Sequence, residues 1–448
     1  MKPQRILVVG GGHVGLYAAL RLSRRLRSTE AEVTVVDPQP HMTYQPFLPE
    51  AAAGSISPRH AVVPLRRELK RCQILGGEVV RIEHARRVAT VQPIVGPARE
   101  IGYDHIVAAP GSVSRTLPIP GLRESAVGFK TIGEAIWLRN HVLERLDIAA
   151  TTSDPTVRQR ALTFVFVGGG YAGIEALAEM EDMARDAMRY YDELDPAEMR
   201  WVLVEATQRI LPEVGPDMGA YTVQQLRRRG MDIRLGTRMD SCVDGVVVLS
   251  DGDTFTADTI VWTAGVKPSP MLNETDLPRD ERGRIRCLAT LQVVSADESI
   301  VDGAWSAGDC AAVPDLTSPI PGALCSPSAQ HAVRQAKQLA DNLRAVIRGT
   351  ALRPYRHKYV GSVASLGLHK GVAQVYGIKL RGWVAWFMHR TYHMSRIPSF
   401  NRKVRVVADW TLALFLKREV VALGELHQPR ERFIEVTPPT VRSTGERG

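Results

Sequence analysis

The chain has 448 residues, 44% of them hydrophobic and 23% charged, with a net charge of +9. Such a composition belongs to a globular protein with room for two or three cored domains, and it excludes a disordered or fibrous chain. The five cysteines, Cys72, Cys242, Cys287, Cys310 and Cys325, form no C-x-x-C pair, which fits a reducing compartment and argues against a dithiol redox centre or a zinc site.

Taken in chain order, the first element is the run "ILVVGGGHVGLYAAL" from Ile6 to Leu20. Lys2 and Arg5 precede it as in a secretion signal, but the run carries a glycine turn and no small-residue cleavage site, so it reads as a first strand. Gly10, Gly12 and Gly15 make G-x-G-x-x-G between strand and helix. The first glycine permits the tight turn, the second lets a pyrophosphate approach the backbone, and the third lets helix and strand pack closely. The helix N-terminus offers free N–H groups and partial positive charge to phosphates. A second strand, "EVTVVD", ends in Asp37, an acid placed to accept from adenosine ribose hydroxyls.

Mixed structure follows, then an apolar strand into a Pro-Gly turn, "YDHIVAAPGS" from Tyr103 to Ser112, a linker with Pro118 and Pro120, and a helix through "IGEAIWLRNHVLERLDIA". The opening pattern then returns as "FVFVGGGYAGIEAL", Phe164 to Leu177, with Gly168, Gly170 and Gly173 in the same spacing and "RWVLVE" ending in Glu205. This unit closes with "TIVWTAGV", Thr259 to Val266. "GAWSAGDCAAVPD" next places Asp309 after a strand-end glycine, and "SAQHAVRQAKQLADNLRAVI" gives a long helix. The order suggests that the second nucleotide unit is inserted into the first, so that Asp309 returns to the first domain. There its carboxylate meets either a ribityl hydroxyl of a flavin or only its own turn. On the former reading the first turn holds FAD and the second NAD(P)H, with NADH favoured because Glu205 repels a 2′-phosphate, although Arg209 lies close.

The expected architecture is α/β. An FAD domain over residues 1–120 and 269–350 is interrupted by an NADH domain over 121–268. A membrane-association or dimerisation region follows over 351–425, and then a flexible tail over 426–448. The apolar stretches "GWVAWFM" and "VVADWTLALFL" fall short of the ~20 residues a membrane span needs. From Lys379 to Arg418, however, nine cations face the single acid Asp409, a net +8. Trp383, Trp386 and Phe387, three and four apart, share one helical face within residues 378–420, and Tyr392, Trp410 and Phe415 follow. Aromatic rings flanked by Arg and Lys suit an interfacial helix, or else a helix packed into a dimer or onto its own domain. No nucleic-acid-binding motif accompanies these cations, so nucleic acid is not an expected partner.

Together these residues resemble the two-dinucleotide-binding flavoprotein superfamily, and more narrowly the type II NADH dehydrogenases. The narrower resemblance rests on "GGGYAGIE", "VWTAGV", "PSAQHA", and "GSVASLGLHKGVAQVYGIKLRGWVAWFMHR" with "FNRKV", and it covers about residues 3–425. It implies FAD and NADH as cofactors, hydride transfer to the flavin, and a quinone, menaquinone or ubiquinone, as acceptor. It further implies a homodimer held as a peripheral, monotopic protein on the cytoplasmic face of the cell membrane. Ala109 and Gly111 would touch FAD, and Ala264 and Gly265 NADH. Ala329 and Gln330 would lie by the flavin ring and the quinone mouth, and Glu175 near the nicotinamide–flavin junction. The sequence offers a second reading of Glu175, as a first-turn acid stabilised by the helix dipole.

Two departures mark this chain. Pro110 stands where Thr is common, and the family's A-Q-x-A-x-Q is here "AQHAVR", with Arg334 for the second glutamine and Gln335 about 100° further round the helix. A cation at Arg334 could select a different quinone or an anionic acceptor. Two other functions stay open: a soluble NAD(P)H-dependent flavoprotein reductase serving a ferredoxin-like protein or a thiol, and a nucleotide-binding protein without turnover. Disulfide reduction is disfavoured because "HMTYQPFLPE", expected near the flavin, holds no cysteine; Cys310 and Cys325 keep sulfide oxidation in view.

Overall fold

The computed structural model describes residues 2–357 and 361–423. The expected tail, 426–448, lies outside them. The first part of the chain runs β1 (Gln4–Val9), α1 (His13–Arg25), β2 (Ala31–Asp37), α2 (Leu48–Ala52), β3 (Gln73–Glu83), β4 (Val88–Pro93), β5 (Arg99–Gly102) and β6 (His105–Ala108). Then come β7 (Ala126–Gly128), α3 (Ile132–Thr151), β8 (Thr163–Val167), α4 (Tyr171–Ala187), β9 (Arg200–Glu205), α5 (Pro216–Arg228), β10 (Asp232–Leu235) and β11 (Thr259–Trp262). The last part is β12 (Gln292–Val294), β13 (Ile300–Ser306), α6 (Ala329–Ile347), β14 (Gly361–Ser365), β15 (Gly371–Val375), β16 (Ile378–Arg381), α7 (Gly382–Arg396) and α8 (Phe400–Leu412).

Two sheets organise the nucleotide-binding halves, in the orders β12-β13-β6-β1-β2-β3-β4-β5 and β7-β11-β8-β9-β10. β1 lies parallel between β2 and β6, and β8 parallel between β9 and β11. Strands covered on both faces need continuous apolar runs, and Ile6–Val9 and Thr163–Val167 are buried throughout. The chain leaves the first sheet after β6 and rejoins it at the β12–β13 hairpin, where Ser306 of β13 pairs in register with Ala108. The outgoing segment Ser112–Ser114 and the returning segment Val266–Pro268 pair antiparallel, so the two crossings brace each other.

Two of the long helices start where a side chain satisfies free amides. Thr131 and Glu134 form a reciprocal capping box on α3, and the Ser328 hydroxyl accepts from the His331 amide at the start of α6. α6 turns Ala332, Ala336, Leu339, Ala340 and Leu343 inward against α1, a stripe at helical spacing. Burying Leu339 and Leu343 stabilises this seam by roughly 1.5–3 kcal/mol each.

The C-terminal region differs from an all-helical segment. β14, β15 and β16 form an antiparallel sheet, on which α7 packs. Lys379 and Arg381 therefore sit on an edge strand facing α5, where Lys379 Nζ pairs with Asp217 (2.6 Å) and Arg381 stacks on Tyr221 (4.4 Å). The aromatic face is also split. Trp383 and Phe387 stack on each other (5.4 Å) and are 56% and 50% exposed, whereas Trp386 is buried beneath the Arg390 guanidinium. Spacing alone put all three on one side; the sheet under α7 takes Trp386 inward.

Candidate functional site

The first cradle opens where β1 meets α1. Gly10 has φ +94°, and a Cβ there would lie 2.4 Å from the Ala109 carbonyl oxygen, so both conformation and space demand glycine. A Cβ on Gly12 would meet nothing within 4 Å, and one on Gly15 would lie 1.7 Å from the Gly10 oxygen. The middle glycine thus faces open space, while the outer two close the turn. At the end of β2, Asp37 Oδ2 accepts from the Gly11 amide (2.6 Å) and Oδ1 from the Gln39 amide (2.7 Å). Burial raises its carboxyl above the ordinary value despite these bonds.

The second cradle repeats the geometry. Gly168 has φ +112° and abuts Thr263 and Ala264, Gly170 has nothing within 4 Å, and Gly173 would clash at 2.0 Å with the Gly168 oxygen. Glu205 Oε2 accepts from the Gly169 amide (2.6 Å) and Oε1 from the Thr207 amide (2.7 Å). Gly265 follows Ala264 at the end of β11, as Gly111 follows the end of β6. Next to Glu205 lies a cleft of about 910 Å³ that Gln208, Arg209, Tyr221, Arg227, Arg228 and Arg381 line.

The rejoined strand brings Asp309 to the first cradle. Ser112 Oγ donates to Asp309 Oδ2 (2.7 Å), and Lys130 Nζ donates to Ser112 Oγ (2.7 Å). Burial lowers the Lys130 ammonium, with Asp309 and Glu134 pulling the other way. His13, the first residue of α1, has its Nε2 buried with no partner among the described residues. Burial drives its pKa down to about 4, Asp309 opposes this, and Lys130 adds to it. Ser112, Lys130 and His13 were not singled out from the sequence. His13 stood in the glycine turn itself, but Lys130 had no local signal beyond the capping box behind it.

α6 carries the remaining candidates. Ala329 is its first residue, and Gln330 Oε1 lies 3.0 Å from His357 Nε2. Arg334 turns back to donate to the Gln330 carbonyl (3.0 Å). Gln335 is buried, and its Oε1 accepts from the Gly308 amide (2.7 Å), which fixes the turn that presents Asp309. The one-residue offset from Arg334 thus separates a side chain on the helix flank from one in the core.

Glu175 is not a first-turn acid. It is the fifth residue of α4, beyond the free amides that concentrate the dipole, and it is 6% exposed. Its Oε1 accepts from the Ser365 amide (2.9 Å) and pairs with His389 Nε2 (2.9 Å), so the C-terminal module holds it.

Both cradles fit a dinucleotide: each leaves its central glycine open, presents helix amides and ends in an acid. The first also offers the orphaned His13 nitrogen. Cys310 and Cys325 offer no thiolate, since burial pushes each thiol up to about 11.

A family model described as pyridine nucleotide-disulphide oxidoreductase matches residues 4–336. The chain is 27% identical to the type II NADH:quinone oxidoreductase Ndh of Mycobacterium tuberculosis over 429 residues, 92% of this chain and 89% of that protein. It is 28% identical to a type II NADH:quinone oxidoreductase of Staphylococcus epidermidis over 395 residues, covering 86% and 93% of the two chains. In structure it resembles NDH2 from Plasmodium falciparum in complex with NADH, with a TM-score of 0.85, 16% identity, and coverage of 94% and 100%.

Proposed function

The chain belongs to the pyridine nucleotide-disulphide oxidoreductase family, and on that premise we propose that it is an FAD-dependent NADH:quinone oxidoreductase of the respiratory chain that pumps no protons. The observation carrying this reading is the pair of open cradles, Gly12 with Asp37 and Gly170 with Glu205, in a chain similar along nearly its whole length to named type II NADH:quinone oxidoreductases. FAD, when bound in the first cradle, supplies a ring able to take up a hydride and give up two electrons.

The chain's own residues bind and orient. The α1 and α4 amides receive the two pyrophosphates, and Asp37 and Glu205 accept from adenosine ribose hydroxyls through their remaining lone pairs. Ala109, Gly111 and Asp309 line the FAD side, and Ala264 and Gly265 the NADH side. Gln330 and Ala329 face the acceptor, with Arg334 as a nearby cation, and Glu175 serves the junction of the two sites.

The acceptor is lipid-soluble, which fits the exposed C-terminal surface. Among the described residues no helix is long and apolar enough to cross a membrane. Trp383, Phe387, Phe400 and Phe415 are at least half exposed, beside Arg396, Arg402, Lys403, Arg405 and Lys417. Lys379, Arg381, Arg390 and Arg418 face protein instead, the last through Ser55, so five of the nine cations remain for an anionic surface, at about 1 kcal/mol each when close to it. Docking on the cytoplasmic face as a homodimer completes the proposal. Sedimentation with anionic and with neutral vesicles tests docking, which should require the anionic ones; mass photometry in detergent tests the dimer.

The deciding experiment is anaerobic. NADH should bleach the yellow protein, and menaquinone and ubiquinone analogues, added separately, should restore its colour. Conversion of Gln330 and Arg334 together to Leu should abolish restoration and leave bleaching; undiminished restoration would remove the acceptor assignment.

A further inference from the structure

α4, α2 and the C-terminal module meet in a buried cluster of charge. Glu50, Glu175 and Glu179 are 1%, 6% and 0% exposed, and each carboxylate needs a partner to remain charged there. β14 supplies Ser365, whose amide serves Glu175 and whose hydroxyl donates to Glu179 Oε1 (2.8 Å). α7 supplies two cations. Arg390 Nη2 lies 3.2 Å from Glu50 Oε2, which also accepts from Trp410 Nε1 (2.7 Å), and His389 pairs with Glu175. Only Arg390 is permanently charged, so the cluster draws a proton onto His389. Burial of that ring opposes the proton, but Glu175, Glu50 and Glu179 outweigh burial and raise its pKa.

One turn along α7 stands His393, its ring 4.6 Å from that of His389 and partly exposed. Tyr44, Phe47 and Tyr392 surround it with ring distances of 6.4, 6.5 and 5.1 Å, and among the described residues no carboxylate is paired with it. Burial, with charge on His389, holds its pKa well below the ordinary value. Proton affinity therefore rises inward along α7. Two tilted rings at this distance exchange a proton after a small rotation or through one water. The Nδ1 of His389, buried without a partner among the described residues, is free for that role.

This inference rests on the function proposed above. NADH, one proton and quinone give NAD⁺ and quinol, so every turnover draws one proton from solution while both electrons come from NADH. We infer that His393 and His389 form a relay that carries this proton from the surface along α7 to Glu175. An N–H bond of charged His389 breaks as the Glu175 O–H forms. His389 is recharged by His393, which takes its proton from water, and Glu175 releases its own as the quinol O–H forms. His389 and His393 act through Glu175 and are positioning residues for proton supply.

Anaerobic stopped-flow on the FAD-loaded protein tests the relay with His393→Phe, which keeps the aromatic cage, and with His389→Gln, which keeps a polar group beside Glu175. Bleaching by NADH should stay within about twofold of the parent. Restoration of colour by a soluble menaquinone analogue should slow at least about tenfold, lose its pH dependence, and recover when imidazole is added to the His393→Phe protein. If His393→Phe fails to bind FAD, His393→Gln takes its place. Independently of turnover, ¹⁵N-histidine spectra should contain one ring, missing in His389→Gln, that keeps both its protons to higher pH in the parent than in Glu175→Gln. Parent-like restoration in both variants, or slowing with an unchanged pH profile and no imidazole rescue, overturns the relay. A His389 that loses its proton at or below the ordinary imidazole value overturns it too. A parent that quinone cannot restore refutes the proposed function instead, and the spectra then still decide whether the pair holds its proton.

Discussion

The turns at Gly10–Gly15 and Gly168–Gly173 share spacing, open central glycine and amide-bound acid, yet the fold surrounds them differently. The first is enclosed by groups from distant parts of the chain: His13 on α1, Ser112 after β6, Lys130 before α3, and Asp309 after β13. The second takes the contacts of its glycines from one stretch, with Thr263 and Glu205 against them, and of the residues lining the cleft beside it Arg381 alone comes from outside that stretch. A motif thus fixes how a pyrophosphate is received, and the neighbours fix what else the ligand must satisfy. Closure by several chain-distant segments suits a resident cofactor; a site made from one stretch suits a nucleotide that arrives and leaves.

The contrast breaks most decisively at the third glycines. Alanine at Gly15 or Gly173 would force a methyl to within 1.7 or 2.0 Å of a carbonyl oxygen. Each overpacks backbone by at least about 1–3 kcal/mol. Gly15→Ala should yield colourless protein, whereas Gly173→Ala should remain yellow but bleach with NADH about 100-fold more slowly. Absorbance spectra read both, and two colourless proteins would show that the cradles are not independent.

A smaller effect is expected at Asp309. Asp309→Asn removes a charged acceptor and should weaken FAD binding about 10- to 100-fold, with NADH affinity unchanged, as titration calorimetry would reveal. At the second cradle, Glu205→Gln should raise the NADPH-to-NADH ratio of kcat/KM about tenfold by removing repulsion of a 2′-phosphate near Arg209. No change there would assign nucleotide choice to the arginines of the cleft.

The subtlest difference is in pH. His13 has its pKa lowered to about 4 from an ordinary 6.5, while Tyr171 stands at the equivalent place in the second turn. Between those two values the unfolded chain binds a proton that the folded chain refuses, so stability contributed by neutral His13 is complete above pH 6.5 and is lost as pH falls toward 4. Thermal melts at pH 5 and 7 should show His13→Asn losing less stability on acidification than the parent. An equal loss would mean that this imidazole is already satisfied.

Much of the frame was legible because glycine patterns and apolar runs are local. Gly10, Gly12, Gly15 and their counterparts sit where spacing placed them, and Asp37 and Glu205 end the strands expected of them. Lys130 escaped notice because its partners, Ser112 and Asp309, become neighbours only when β13 pairs with β6. For Glu175 the sequence left a dipole-stabilised first-turn acid open beside the junction role, because His389 and Ser365, which hold it, lie far along the chain. The aromatic stripe on α7 was misread for a related cause: helical spacing defines a face but not which face a sheet will cover.

The amino-acid order by itself determined two strand–glycine–helix turns, each with an acid behind it, and a basic aromatic C-terminal region, since these depend on backbone space and near-neighbour periodicity. Only the tertiary structure decided which buried charges meet. The Asp309–Ser112–Lys130 chain and the Glu175–His389 pair each join residues from separate elements, and a charge withdrawn from water is stable only when folding delivers its partner.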